Sequence, residues 1–209
     1  MKKIIAAMLL CVASSTAFAQ TEKGTQNIGA SFSIQTSDSK NNYFDGAINI
    51  SSNIKLNIYN AGINYAYFVA DKLDLGVLAG YSYQKNSQDN NDTEFLQKVN
   101  GYFAGIQLRK YVLFNDKIGI RTGPSFTYAR DKSTSKYSIQ NDQVTNTDSY
   151  NGRLGLDFVF YPTKHLGITS SIGSIYYTHS KSKGFYEGSS NNFGANFVNN
   201  LNLGFFYSW

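Results

Sequence analysis

A chain of 209 residues with 15% aromatics, 18 glycines and only 2 prolines has the composition of many strands and no helical bundle. Its formal net charge of +5 is mild and its lysines are scattered, which excludes the contiguous basic footprint of a nucleic-acid-binding domain. Mean hydropathy is −0.32, and after residue 19 no stretch is apolar enough to cross a bilayer as a helix, so any crossing must use strands.

The chain begins with a basic pair, Lys2-Lys3, then an apolar stretch of nine residues, Ile4 to Val12, then the A-x-A site Ala17-Phe18-Ala19. This pattern predicts a secretory signal peptide over 1–19, removed before Gln20, and a single domain over 20–209. Cys11 lies inside the leader without the small residues of a lipoprotein signal, so no lipid anchor is expected. Without it the mature chain has no cysteine and no disulfide. Loss of Lys2 and Lys3 also lowers the net charge from +5 to +3.

Eight segments of period-two alternation follow, the signature of strands with one apolar face. The first runs over about 25–36, with Ile28, Ala30, Phe32 and Ile34 on one face. The second, about 56–69, sets Tyr59, Ile63, Tyr65, Tyr67 and Val69 against Asn60, Gly62 and Asn64. Ile54, Leu56 and Ile58 lie in the opposite phase, which predicts a bulge near Ile58-Tyr59. The third alternates Leu73, Leu75, Val77, Ala79, Tyr81 and Tyr83 with Asp74, Gly76 and Gly80. The fourth puts Tyr102, Ala104, Ile106 and Leu108 opposite Gly101, Phe103, Gly105 and Arg109; the fifth puts Ile118, Ile120, Phe126 and Tyr128 opposite Arg121 and Gly123. The sixth sets Leu154, Leu156, Phe158 and Phe160 against Arg153, Gly155 and Asp157, and the seventh Leu166, Ile168, Ile172 and Tyr176 against Gly167, Thr169 and Gly173. The last segment carries Leu201, Leu203, Phe205, Tyr207 and Trp209 on one face. A soluble domain rarely ends on its most apolar strand; a closed barrel in lipid needs that strand to pair with the first.

Short connections at 70–72, 113–116 and 162–164 alternate with long polar ones at about 37–53, 85–97, 130–148 and 179–192. Short turns on one rim and long loops on the other describe an all-β, eight-stranded antiparallel up-and-down transmembrane barrel with both termini at the periplasmic rim. A soluble barrel of the lipocalin kind would turn its apolar face inward around a ligand. Here the small and polar face (Gly, Ser, Asn, Arg, Asp) suits a narrow lumen, and aromatics gather near the strand ends as interfacial girdles.

The segment Tyr67-Phe68-Val69-Ala70-Asp71-Lys72-Leu73-Asp74-Leu75-Gly76, continuing to Leu78-Ala79-Gly80-Tyr81, resembles the first periplasmic hairpin of porin-family outer-membrane β-barrel domain proteins, of the general type of the OmpA transmembrane domain and OmpX. The aromatic last strand (Leu201, Leu203, Phe205, Tyr207, Trp209) is similar to the sorting signal read by the barrel-assembly machinery. The resemblance covers the whole mature chain and implies the bacterial outer membrane, outer-membrane lipids including lipopolysaccharide as partners, and a monomer. Unlike full-length OmpA, the chain is expected to carry no peptidoglycan-binding domain after the barrel.

Inward-facing charges form a candidate network: Asp74, Arg109, Arg121, Arg153 and Asp157 lie on consecutive strands. The first reading is an ion-pair network that fills the lumen; the alternative is a narrow, porin-like channel gated by those Arg/Asp pairs. A lipid A-modifying enzyme is a weaker alternative, because His179 is adjacent to Ser180 and the two would point opposite ways on a strand, while His165 lies beside a turn. No catalytic, cofactor-binding or metal-binding residue is expected, and Asp89-Asn90-Asn91-Asp92 lacks the spacing and glycine of a calcium loop. Arg130, Lys132, Lys136, Lys181 and Lys183 ring the outer end, where lipid phosphates would lie. The sequence therefore predicts an integral membrane barrel with a structural or surface-interaction, adhesin-like role and no enzymatic activity.

Overall fold

The computed structural model describes residues 21–45, 48–90, 93–137, 140–197 and 203–209. The strands are β1 (Gln26–Asp45), β2 (Ile48–Ala70), β3 (Leu73–Asn90), β4 (Thr93–Leu113), β5 (Ile118–Tyr137), β6 (Gln140–Phe160), β7 (Leu166–Gly184), β8 (Gly188–Phe197) and β9 (Leu203–Ser208). Each pairs antiparallel with its neighbours, and β9 lies between β1 and β7. Together with the β6–β7 pairing this closes a ring of eight strand positions. The eighth position is shared: β8 extends the upper part of β7, and β9 fills the lower part. Leu201 of the predicted last strand lies outside the described residues, as does the predicted signal peptide over 1–19.

The exterior is apolar. Ile63 is 67% exposed, Ile106 57%, Ile28 53%, and Phe126 and Leu154 51% each. A contiguous apolar belt of this size is untenable in water and natural in lipid. Tyr59, Tyr81, Tyr102, Tyr150 and Tyr177 bound it on one side, and Tyr67, Val112, Phe158 and Trp209 lie toward the short-turn rim. The short turns are tight. Asp71 and Lys72 join β2 to β3, with Lys72 in the left-handed region at φ 60°.

Three expectations change. The long polar connections are strand rather than loop. β5 and β6 remain paired from Ile118↔Phe160 to Tyr137↔Gln140, and β1 and β2 from Gln26↔Tyr67 to Asp45↔Ile48. In β5 and β6 both faces of the extension are largely polar, so no apolar period marks it, whereas the β2 extension carries Ile54, Leu56 and Ile58 in the phase opposite to the lipid-facing row. Cross-strand side-chain pairs hold them instead: Thr147 with Ser182 at 2.9 Å, Ser149 with Ser180 at 2.8 Å, and Asn151 donating to Thr178 at 2.6 Å.

The bulge predicted at Ile58-Tyr59 is absent, since both neighbours of β2 keep an unbroken register there, and the shift falls at Phe68/Ala70 beside the turn. Ile54, Leu56 and Ile58 simply belong to the inward row of the extension. A shift does occur in β7, between the pairs Leu156↔Gly173 and Asp157↔Ser171. Ile172 is the extra residue, and beyond it the phase reverses. Ile175 and Tyr177 face outward and Tyr176 inward, opposite to the phase predicted for Tyr176.

Candidate functional site

Regular alternation aims every second residue of each strand into the lumen, and at the short-turn end these residues are large. Phe68, Tyr111, Val159, Tyr161 and Phe206 are buried together as the one apolar core among the described residues. Phe68 and Tyr111 lie 5.3 Å apart between ring centres, and Tyr161 meets Phe206 edge-on at 5.5 Å. The segment before β1 seals the floor from below: the Gly24 amide donates to the Phe68 carbonyl at 2.9 Å, and the Lys72 amide to the Thr21 carbonyl at 2.6 Å. This aromatic floor escaped the sequence reading. Its signal was there, since Phe206 shares the inward phase with Gly204 and Ser208, and Phe68 breaks an otherwise small and polar row.

Charges lie directly on the floor. Asp74 and Arg109 face each other across β3 and β4, and the Arg109 Nε and Nη2 donate to the two carboxylate oxygens at 2.9 and 2.7 Å. The Tyr111 hydroxyl donates to Asp74 Oδ2 at 2.8 Å, so a fully buried carboxylate has three donors. Arg121 Nη1 reaches the Tyr111 hydroxyl at 3.5 Å, Arg121 Nε donates to Asp157 Oδ2 at 3.0 Å, and the guanidinium lies 6.0 Å from the Phe206 ring centre. Four of the five predicted network residues are thus joined through Tyr111. The fifth, Arg153, is separate: its Nη2 donates to Ser171 Oγ at 3.0 Å, and among the described residues no salt bridge reaches it.

Space above the floor is set by glycines. The Phe103 ring extends over Gly80 and lies 3.4 Å from the place a Cβ would take on Gly62. Gln107 lies likewise over Gly76, its Nε2 at 3.1 Å from such a position. These small residues let a narrow barrel hold one aromatic ring, three arginines and an open volume.

The closing strand presents Phe205, 39% exposed, and Trp209, 49% exposed, to the outside, with Tyr207 stacked on both Trp209 and His165. Leu203 shares that face, and Phe206 turns into the floor. Ser208 Oγ donates to Asn27 Oδ1 at 2.6 Å across the seam with β1.

Both histidines make hydrogen-bond contacts through Nδ1. His165 Nδ1 lies 2.8 Å from the Ser208 carbonyl oxygen, tying the β6–β7 turn to β9. His179 Nδ1 contacts Asn191 Oδ1 at 2.8 Å on the outside, while Ser180 bonds Ser149 on the inside. The pair therefore points to opposite faces of the sheet. Among the described residues no group of three or more His, Cys, Asp or Glu is placed to hold a metal.

On the outer face above the tyrosines, cations dominate. Lys85 and Lys98 are directly opposed on β3 and β4, Arg130 and Lys132 follow on β5, and Lys181 and Lys183 on β7. Only part of this row is paired on that face, with Arg130 3.7 Å from Asp148 and Lys136 2.8 Å from Asp142.

No protein-family model matches the chain, and no curated protein sequence does. Solved structures do. The outer membrane protein OprG from Pseudomonas aeruginosa superposes with a TM-score of 0.52 at 14% identity, over 92% of this chain and 99% of OprG. Ail, the attachment invasion locus protein of Yersinia pestis, solved with the heparin analogue sucrose octasulfate, gives 0.47 at 13% identity over 90% of this chain and 99% of Ail. The outer membrane protease OmpT from Escherichia coli gives 0.40 at 11% identity, over 93% and 97%. The closed antiparallel ring, its apolar exterior and the likeness to OprG together give this chain the fold of the eight-stranded outer-membrane β-barrels.

Proposed function

We propose that this protein is a non-enzymatic, non-conducting barrel of the bacterial outer membrane whose strand extensions form a surface for interaction outside the cell. The observation that carries the reading is the asymmetry of the molecule. One end of the lumen is closed by buried aromatics, and at the other end the wall continues for about ten residues per strand beyond the tyrosine girdle. Nothing in a lipid anchor requires such extensions; a projecting sheet does require a use. Ordered exposed structure of this kind is where binding residues concentrate.

The outward row Lys85, Lys98, Arg130, Lys132, Lys181 and Lys183 lies just beyond the girdle, at the depth of headgroup phosphates. Lipopolysaccharide and other anionic lipids are its natural partners. The final strand, with Leu203, Phe205, Tyr207 and Trp209 outward, is the element that the barrel-assembly machinery would engage during insertion. The chain functions as a monomer in this reading, because β9 pairs with both β1 and β7 and so joins the two ends of the sheet within one chain.

The test uses a shortened barrel. Removing residues 133–145 and joining Lys132 to Asn146, which are paired in the native register, through an Asn-Gly turn should leave the membrane portion intact. Insertion and heat-modifiable migration should persist, and adherence of expressing cells to an epithelial monolayer should fall to the level of cells without the protein. Undiminished adherence would sink the surface reading.

A further inference from the structure

A cavity of about 360 Å³ lies on the aromatic floor, and a second of about 310 Å³ adjoins it, with Arg121, Arg153, Asp157 and Phe103 lining both. The two form one chamber inside the barrel. Its charges do not balance. Arg109 is neutralised by the bidentate Asp74 pair and Arg121 by Asp157, which leaves Arg153 as a cation facing the chamber with a hydroxyl as partner. Among the described residues the Arg153 Nε is buried with no acceptor, and so is the Nε2 of Gln107 in the same lining. A buried donor without an acceptor costs about 1–3 kcal/mol, more when charged, and a planar guanidinium fork is matched geometrically by a carboxylate. Phe103 and the Phe206 ring supply apolar surface in the same lining.

We propose that this chamber is a binding site for one small organic monocarboxylate, its carboxylate on Arg153 and its apolar remainder against Phe103. A single negative charge restores neutrality among the three arginines and two aspartates. The closed floor makes the site a blind pocket, so the ligand enters and leaves from the extended side of the barrel.

The test is calorimetric titration of the full refolded chain in a zwitterionic detergent, with benzoate as probe and benzylamine, of the same shape and opposite charge, as control. Benzoate should bind saturably with one site per chain and benzylamine should not. Arg153→Gln should weaken benzoate binding at least about tenfold, the worth of one charge-assisted hydrogen bond, and Arg153→Lys should recover part of it. Lys181→Gln, on the outer face, should leave it unchanged. Heat-modifiable migration confirms that each variant is folded. Absence of saturable benzoate binding up to about 10 mM, equal binding of benzylamine, or full affinity in both Arg153 variants would each overturn the site. None of these results bears on adherence, so the surface reading stands or falls separately.

Discussion

Asp74 shows how a charge survives inside this barrel. Its side chain is completely buried, and an isolated carboxylate there would be prohibitive. Two bonds from Arg109 and one from Tyr111 make it tolerable. Breaking such a pair leaves the other charge stranded, so Asp74→Ala should cost about 3–5 kcal/mol in urea unfolding of the reconstituted protein. Replacing both partners, Asp74→Leu with Arg109→Met, should recover most of that loss. If the double variant were as unstable as the single one, the stranded-charge explanation would be wrong. Gly167 makes a steric counterpart: a Cβ there would run into the Phe206 ring. Gly167→Val should therefore loosen the floor and lower the midpoint of the same transition.

A single strand crosses two solvents, and β5 separates them. Phe126 faces lipid in the middle of the belt, whereas Thr134, on the same outward row, belongs to the extension. Lysine at the bilayer midplane costs about 2–4 kcal/mol on a barrel of this type and close to nothing beyond the interface. Phe126→Lys should consequently impair folding into lipid vesicles, and Thr134→Lys should not. Equal effects of the two substitutions would show that the belt has been placed at the wrong height. The extension survives in water because its rungs are hydroxyl and amide pairs such as Thr147 with Ser182 and Asn151 with Thr178.

As a whole the molecule is a cup whose floor is made from four different parts of the chain: β2, β4, the β6–β7 region and β9 contribute Phe68, Tyr111, Val159 with Tyr161, and Phe206. The wild-type protein should be silent in planar bilayers. Tyr161→Ala with Phe206→Ala removes two interlocked rings and should open a measurable conductance. Asp157→Ala, which breaks only the ion pair above the floor, should remain silent. Conductance from the wild type, or from Asp157→Ala alone, would favour the gated-channel alternative over the closed cup.

Much of this architecture is legible in the sequence because lipid imposes a rule that a strand cannot evade. Every second residue from Leu75 to Tyr81, or from Leu154 to Phe158, must be apolar, so period two announces the strand, its orientation and the wall it belongs to. Inward Asp74, Arg109, Arg121 and Asp157 could be named for the same reason. The β5 and β6 extensions escaped because water accepts polar side chains on both faces, which erases the period while the backbone pairing continues; in β2 the row Ile54, Leu56 and Ile58 keeps a period but in the inward phase, which reads as a break. The extra residue in β7 escaped because Ile172 sustains an apolar pattern through the shift and disguises the reversal at Tyr176. Which charges pair, and that Arg153 is left facing a chamber, depends on register between strands. Register is set by backbone hydrogen bonds between distant segments, so only the closed barrel decides it.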